Sequence, residues 1–301
     1  MMEPLWGIDL GGTKIEGVIL DGRSSDAVRV RTRVPTEAAR GYRHILGQIE
    51  HLVERMAREV GARPERLGIG TPGALDPTSG LLKNSNTTCL NGQPLKADLE
   101  ELLGIPLRMA NDANCFAVAE TTLGAVQTQV PDARVIFGVI MGTGVGGGLV
   151  IDGQVWNGRH GIGGEWGHIF LNESGGPCYC GKTGCAERVI SGTALERYYR
   201  EQTGETRRLK EILQRHEAGI DPIATATIER LLDNFAKGIS YILNVIDPDA
   251  VVLGGGLANI DLLYTEGVAR IPAHLFNPRL ETPFLRPALG DSAGVFGAAM
   301  L

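Results

Sequence analysis

Three features of this chain carry chemistry: a carboxylate set between two amides, three glycine turns that each follow an apolar run, and three cysteines close behind a histidine. Asp112 stands in Asn111-Asp112-Ala113-Asn114, directly after the apolar stretch Leu107 to Ala110. A carboxylate at the tip of a strand, where the chain passes into a helix, can accept a proton from a bound hydroxyl or cap the helix that begins at Ala113. Asn111 and Asn114 can meet ligand hydroxyls or serve only the turn. The glycine clusters are Asp9-Leu10-Gly11-Gly12-Thr13-Lys14, Gly142-Thr143-Gly144-Val145-Gly146-Gly147-Gly148 and Gly254-Gly255-Gly256. Phosphate oxygens reach backbone N–H groups where no Cβ intervenes, so glycine suits such a place. Thr13 and Thr143 add hydroxyls, Lys14 adds a cation, and Asp9 could hold the water shell of Mg²⁺. A single cluster is most simply a tight turn. Three in one chain point to a nucleotide.

Other nucleotide motifs fail on inspection. No G-x-x-x-x-G-K-[ST] string occurs, and the two G-x-G-x-x-G matches, at Gly68, Gly70, Gly73 and at Gly142, Gly144, Gly147, lack a following helix. Glu165 lies in Gly161-Ile162-Gly163-Gly164-Glu165-Trp166-Gly167-His168, where glycines let a carboxylate enter a pocket; for Glu165 and Glu187 the alternative is plain surface exposure. Cys178, Cys180 and Cys185, with His168 ten positions upstream, offer three thiolates and an imidazole. That donor set suits a tetrahedral Zn²⁺ with no open position, hence a structural ion that fixes the irregular stretch 158–185. Cys89 and Cys115 have no partner at metal spacing.

The elements that must position these groups alternate between strand and helix. Strands are expected at Leu5 to Leu10, Gly17 to Leu20 and Val28 to Val34, with Asp21-Gly22 as a hairpin turn. Ile45, Ile49, Leu52, Met56 and Val60 predict an amphipathic helix stopped by Gly61. Asp98 and Glu101 suggest a capping box ahead of Gly104, and Asp221-Pro222 a helix start. Strand, glycine turn, strand and hairpin recur at Arg134 to Gly153, a weak echo of the N-terminus. Two copies of one sheet unit, facing each other across a cleft, are therefore expected: a domain at 1–117 and a larger one at 118–289, with a terminal helix near 290–301.

Composition sets bounds. A chain of 301 residues exceeds one typical domain, and 43% hydrophobic with 21% charged residues is ordinary for a soluble protein. The net charge of −6 gives no reason to expect nucleic-acid binding. No signal peptide or membrane-length apolar run is apparent, so a cytoplasmic protein is expected, and the cysteine trio suits a reducing compartment.

Taken in order, DLGGTK at 9–14, TPG at 71–73, NDAN at 111–114, GTGVGGG at 142–148, GEWGH at 164–168, CYCGKTGCAE at 178–187 and DPDAVVLGGG at 247–256 resemble the ROK family of sugar kinases and repressors along essentially the whole chain. The resemblance implies an α/β, actin-like ATPase (ribonuclease H-like) fold and ATP-dependent phosphorylation of a hexose at its 6-hydroxyl, with Asp112 as the catalytic base. It implies sugar contacts from Gly73, Asn86, Asn111, Asp112, Glu165, His168 and Glu187, and zinc ligation by His168, Cys178, Cys180 and Cys185, so that His168 serves both ion and sugar. Asp9, Gly11, Gly12, Thr13, Lys14, Gly142, Thr143, Gly144, Gly254, Gly255 and Gly256 match the ATP and Mg²⁺ positions. A homodimer is implied, and a terminal helix packed on the first domain. Because Trp6-Gly7-Ile8-Asp9 begins almost at residue 1, no DNA-binding region is expected before it, which favours a kinase over a non-catalytic sugar-binding regulator. Asn84 to Pro94 and Trp166 are similar to the fructokinase or mannokinase branch, so fructose or mannose is the expected sugar, with N-acetylglucosamine and glucose as alternatives.

Overall fold

The computed structural model describes residues 3–301. By internal packing the chain divides into two compact units: residues up to Gly138 with Gly148–Gly164 and Pro287–Leu301, and Val139–Gly147 with Glu165–Arg286. The expected break after residue 117 thus differs from the observed one. Strands joined by hairpins pack with partners remote in sequence, and no local composition shift marks that.

The first unit is built on strands β1 (Leu5–Leu10), β2 (Lys14–Leu20), β3 (Val28–Pro35), β4 (Leu67–Thr71) and β7 (Leu107–Asn111), in the order β3-β2-β1-β4-β7; β5 (Ala74–Leu75) and β6 (Leu82–Lys83) form a small separate hairpin. β1–β2 and β2–β3 are antiparallel, β1–β4 and β4–β7 parallel. Helix α1 (Tyr42–Val60) buries Ile45, Ile49, Leu52, Val53 and Met56 and ends at Gly61 with φ of 70°, as its periodicity predicts. Two local expectations fail. The β2–β3 connection is a longer loop, closed by Asp21 N–H to the Ala27 carbonyl at 2.9 Å, instead of a two-residue turn at Asp21-Gly22. Helix α2 (Leu95–Leu103) begins before Asp98, whose Oδ2 accepts the Tyr42 hydroxyl at 2.6 Å, so there is no capping box. Helices α3 (Asp112–Thr122) and α4 (Ala125–Gln129) follow β7.

The terminal helix Ala293–Met300 packs on α3, β1 and β4. Its approach is so close that a Cβ on Gly68 would strike the Ala298 carbonyl and one on Gly297 the Cys115 carbonyl. Glycine at these positions sets the interaxial distance.

The second five-stranded sheet has the order β10-β9-β8-β11-β12, from β8 (Val135–Met141), β9 (Val145–Ile151), β10 (Gln154–Val155), β11 (Ala250–Gly254) and β12 (Phe284–Leu285). Third, second, first, fourth, fifth is also the order of the first sheet, so the weak sequence echo is a real duplication, and the fold is that of the actin-like ATPases. Asp152 and Gly153, both at positive φ, make the expected two-residue hairpin between β9 and β10. The second unit adds α5 (Glu187–Ile190), α6 (Gly192–Thr203), α7 (Leu209–Glu217), α8 (Pro222–Ile246) and the short α9 (Val268–Arg270). Asp221 caps α8 by accepting from Ile223 and Ala224 N–H, as read from Asp-Pro. Among the described residues no helix is long and apolar enough to cross a membrane.

Candidate active site

In the first unit the parallel registers Asp9↔Gly70, Gly70↔Ala110 and Thr71↔Asn111 place Asp9, the turn Thr71–Gly73 and Asp112 at one carboxyl edge of the sheet. Ligands of open α/β sheets bind at that edge. Asn111, not Asp112, caps α3: its Oδ1 accepts the Asn114 N–H at 2.8 Å. Asp112 is solvent-accessible, and its Oδ1 accepts the Ala113 N–H at 2.8 Å. The protein around it nevertheless raises its proton affinity, desolvation outweighing that hydrogen bond.

Asp9 is pushed up to about 6 by burial, and by the charges of Asp112 and Glu16 beyond what Lys14 offsets. Its carboxylate lies against Gly294 and Gly70, where a Cβ would come within 3.1 and 3.5 Å of an oxygen. Beneath them burial raises the thiol of Cys115, with Asp9 and Asp112 adding to the shift, so it stays a neutral core residue. The raised Asp9 pKa means that its stabilising neutral form is lost as pH rises from near 4 through about 6. Asp9→Asn is therefore expected to stabilise the metal-free protein at pH 8 by at most about 3 kcal/mol and to change little at pH 4. Denaturant melts at the two pH values check this; equal effects at both would contradict it.

The turn after β1 is closed by Gly11 N–H to the Lys14 carbonyl at 3.0 Å and by the Thr36 hydroxyl to the Gly11 carbonyl at 2.6 Å, leaving Gly12 and Thr13 exposed. Lys14 is not aimed freely over this turn. Its Nζ lies 3.3 Å from the buried Glu16 carboxylate, which also takes Arg31 and Arg33. Gly73 packs so tightly on Ser85 and the Lys83 carbonyl that no side chain fits, and Asn86 is exposed on the adjoining loop.

In the second unit Glu187 Oε2 accepts the Val145 N–H at 3.1 Å and lies over Gly144, where a Cβ would stand 2.5 Å from it. Trp166 is buried and its indole N–H donates to the Gly146 carbonyl at 2.8 Å, while Gly167 packs on the Val145 carbonyl; together these hold Glu165 and His168 beside β9. His168 Nδ1 lies 3.7 Å from Cys178 Sγ, and Cys180 Sγ 3.5 Å from Cys185 Sγ. The four candidate donor atoms lie within 4.8 Å of one another. That spacing fits a tetrahedral ion with bonds of about 2.0–2.3 Å. The other nitrogen, Nε2, meets the Tyr179 hydroxyl at 2.9 Å, a partner not foreseen from sequence. Burial, with Glu187, Cys178 and Glu165 nearby, pushes that hydroxyl up to about 12.

Also in this unit is a cavity of about 760 Å³ lined by Gly142, Thr143, Gly256, Thr193, Glu196, Arg208, Lys210 and the apolar Leu209, Leu257 and Ile260. The Thr143 carbonyl accepts the Thr193 hydroxyl at 2.7 Å, and Gly255, at φ 77°, leaves no room for a Cβ against the Met141 carbonyl. Sequence reading found its glycine rim but missed its walls, which come from α6, α7 and the segment after β11. No short motif links them.

The ROK family model matches residues 5–301. N-acetyl-D-glucosamine kinases of Vibrio atlanticus and Yersinia pseudotuberculosis are 35% and 36% identical to this chain, over 98% of it and 98% of each relative. Among solved structures, the ROK hexokinase of Thermus thermophilus has a TM-score of 0.87 at 34% identity, covering 99% of this chain and 97% of that one. A ROK family glucokinase of Streptomyces griseus, in complex with glucose and AMPPNP, has a TM-score of 0.76 at 28% identity over 98% of both chains. With the motifs, the duplicated sheet and full-length matches in agreement, the chain belongs to the ROK family.

Proposed function

We propose that this ROK-family sugar phosphotransferase moves the γ-phosphate of ATP to the 6-hydroxyl of N-acetylglucosamine, with Asp112 taking the hydroxyl proton. The observation that carries the reading is Asp112 itself: accessible, relieved of capping duty by Asn111, and raised in proton affinity at the carboxyl edge of the sheet. A carboxylate with a raised pKa is a stronger base toward a hydroxyl proton than an ordinary one. The apolar walls Leu209, Leu257 and Ile260 suit a nucleobase, and the Gly142–Gly144 turn suits phosphates. Gly12 and Thr13 offer further phosphate donors, whereas the Gly11 N–H is spent on the Lys14 carbonyl; of the run Gly254–Gly256, Gly256 lines the cavity and Gly254 is buried at the end of β11. Asp9 would hold Mg²⁺ through water, supplying charge neutralisation for the transferring group; the charge of Asp112 adds to the burial that pushes the Asp9 carboxyl up, and a cation there would relieve it. Glu165, His168 and Glu187, with Gly73, Asn86 and Asn111, would bind sugar hydroxyls. Zn²⁺ on His168, Cys178, Cys180 and Cys185 would hold that loop in shape.

The sugar assignment departs from the expected fructose or mannose. Trp166, one of two signals for that branch, is 2% exposed and its N–H is spent on Gly146, so it supports the loop instead of facing a ligand. The N-acetylglucosamine kinases matched along their whole length support the alternative. A panel of fructose, mannose, glucose, N-acetylglucosamine and N-acetylmannosamine in an ADP-release assay tests this, with the highest kcat/KM expected for N-acetylglucosamine. A higher value for fructose or mannose would reverse the choice, and sugar binding without any ADP release would favour a regulator.

A further inference from the structure

Behind the zinc-ligand loop, wholly within the second unit, three arginines meet at the Ser174–Gly175 turn, with one exposed acid, Glu201, beside Arg197. Arg197 on α6 donates its Nη2 to the carbonyls of Arg188 at 2.6 Å and Gly175 at 3.3 Å. Arg230 on α8 donates to the Ser174 hydroxyl at 2.8 Å, and its guanidinium lies 4.9 Å from the Tyr198 ring centroid. Ser174 is in turn fixed by Asn172, which accepts both its hydroxyl and its N–H. Arg197 and Arg230 are thus held in place by backbone carbonyls, a hydroxyl and a ring, none of which neutralises them. Arg197 also meets Glu201, an acid 57% exposed, at 3.7 Å.

Two donors in this cluster are unused. The Nε–H groups of Arg188 and Arg230 are buried and have no hydrogen-bond partner. A buried unpaired donor on a charged group is costly, and each such group in a native protein calls for an explanation. Burial, with the charges of Arg188, Arg230 and Arg200, pushes down the proton affinity of Arg197 further than Glu201 raises it. Arg188 and Arg230 remain partly exposed, so an approaching ligand can reach them.

We propose that Arg188, Arg197 and Arg230 form a binding site for a phosphate oxyanion, either inorganic phosphate or a phosphomonoester. Guanidinium forks match tetrahedral oxyanions, and phosphate brings both the charge and the several acceptors that the cluster lacks. Arg188 directly follows Glu187, and Ser174 lies in the loop between His168 and Cys178, so an anion here would brace two elements of the second unit at once. The site stands independently of which sugar the chain takes.

Calorimetric titration in chloride buffer tests it, with the catalytic site filled by sugar and a non-hydrolysable ATP analogue. Inorganic phosphate should bind the wild type at one equivalent per chain, and Arg188→Gln and Arg230→Gln should each weaken it by about tenfold or more. Arg230→Lys, which keeps the charge and guards against misfolding of the Gln variants, should weaken it less. A hexose 6-phosphate that binds more tightly than phosphate would identify the monoester as the ligand; equal affinity would identify the free ion. No saturable phosphate binding by the wild type, or unchanged affinity in both folded Gln variants, overturns the proposal.

Discussion

Asp112→Asn is expected to lower kcat by about 10²–10⁴-fold, the usual contribution of a positioned general base, while KM for the sugar moves by no more than about threefold. Asparagine keeps the oxygen that accepts the Ala113 N–H, and Asn111 continues to cap α3, so the helix start survives the change. What is lost is the proton acceptor. Removing a carboxylate whose ionisation is already disfavoured also relieves Asp9, so the variant should be at least as stable as the wild type at neutral pH. The same shift sets the sign of the pH profile: activity should fall as the medium is acidified through a pKa above the ordinary aspartate range. A variant that retains most of its turnover would remove Asp112 from the chemistry.

Loss of the zinc proposed for His168, Cys178, Cys180 and Cys185 should be nearly as damaging, through sugar binding instead of chemistry. The stretch from His168 to Cys185 has little regular structure: one 3-10 turn at Glu173–Gly175, two isolated bridges, Phe170↔Cys185 and Pro177↔Thr183, and a set of turn hydrogen bonds. A segment so poor in core relies on a cross-link to overcome its chain entropy. Cys180 is exposed, so Cys180→Ser tests ligation without opening the core. The variant should lose stoichiometric zinc by elemental analysis, and KM for the sugar should rise by about 10–100-fold as Glu165 and His168 lose their support. A zinc-free variant with wild-type KM would mean that the four donors do not shape the sugar site.

Much of this was legible from residues alone where the physics is local. Gly61 stops α1, Asp221-Pro222 starts α8, and Asp152-Gly153 turns a hairpin, because each signal acts within a few residues. The spacing of Cys178, Cys180 and Cys185 and the position of Asp112 after an apolar strand were equally local. Failures came where a distant partner decides. Asp98 looked like a cap until Tyr42, 56 residues away, claimed its carboxylate. Lys14 was expected among the ATP-site residues as a cation, but the β2–β3 register gathers Arg31 and Arg33 with it around Glu16. The cavity walls on α6 and α7, the Tyr179 hydroxyl on His168 and the arginine cluster likewise depend on tertiary packing, which no periodicity encodes.

The central claim is that the Asp112 carboxylate meets the hydroxyl that is phosphorylated. A crystal structure with N-acetylglucosamine and a non-hydrolysable ATP analogue measures this directly. The account predicts the sugar 6-hydroxyl at hydrogen-bond distance from an Asp112 oxygen, on the side facing the terminal phosphate; a bound sugar whose 6-hydroxyl lies away from Asp112 would contradict it.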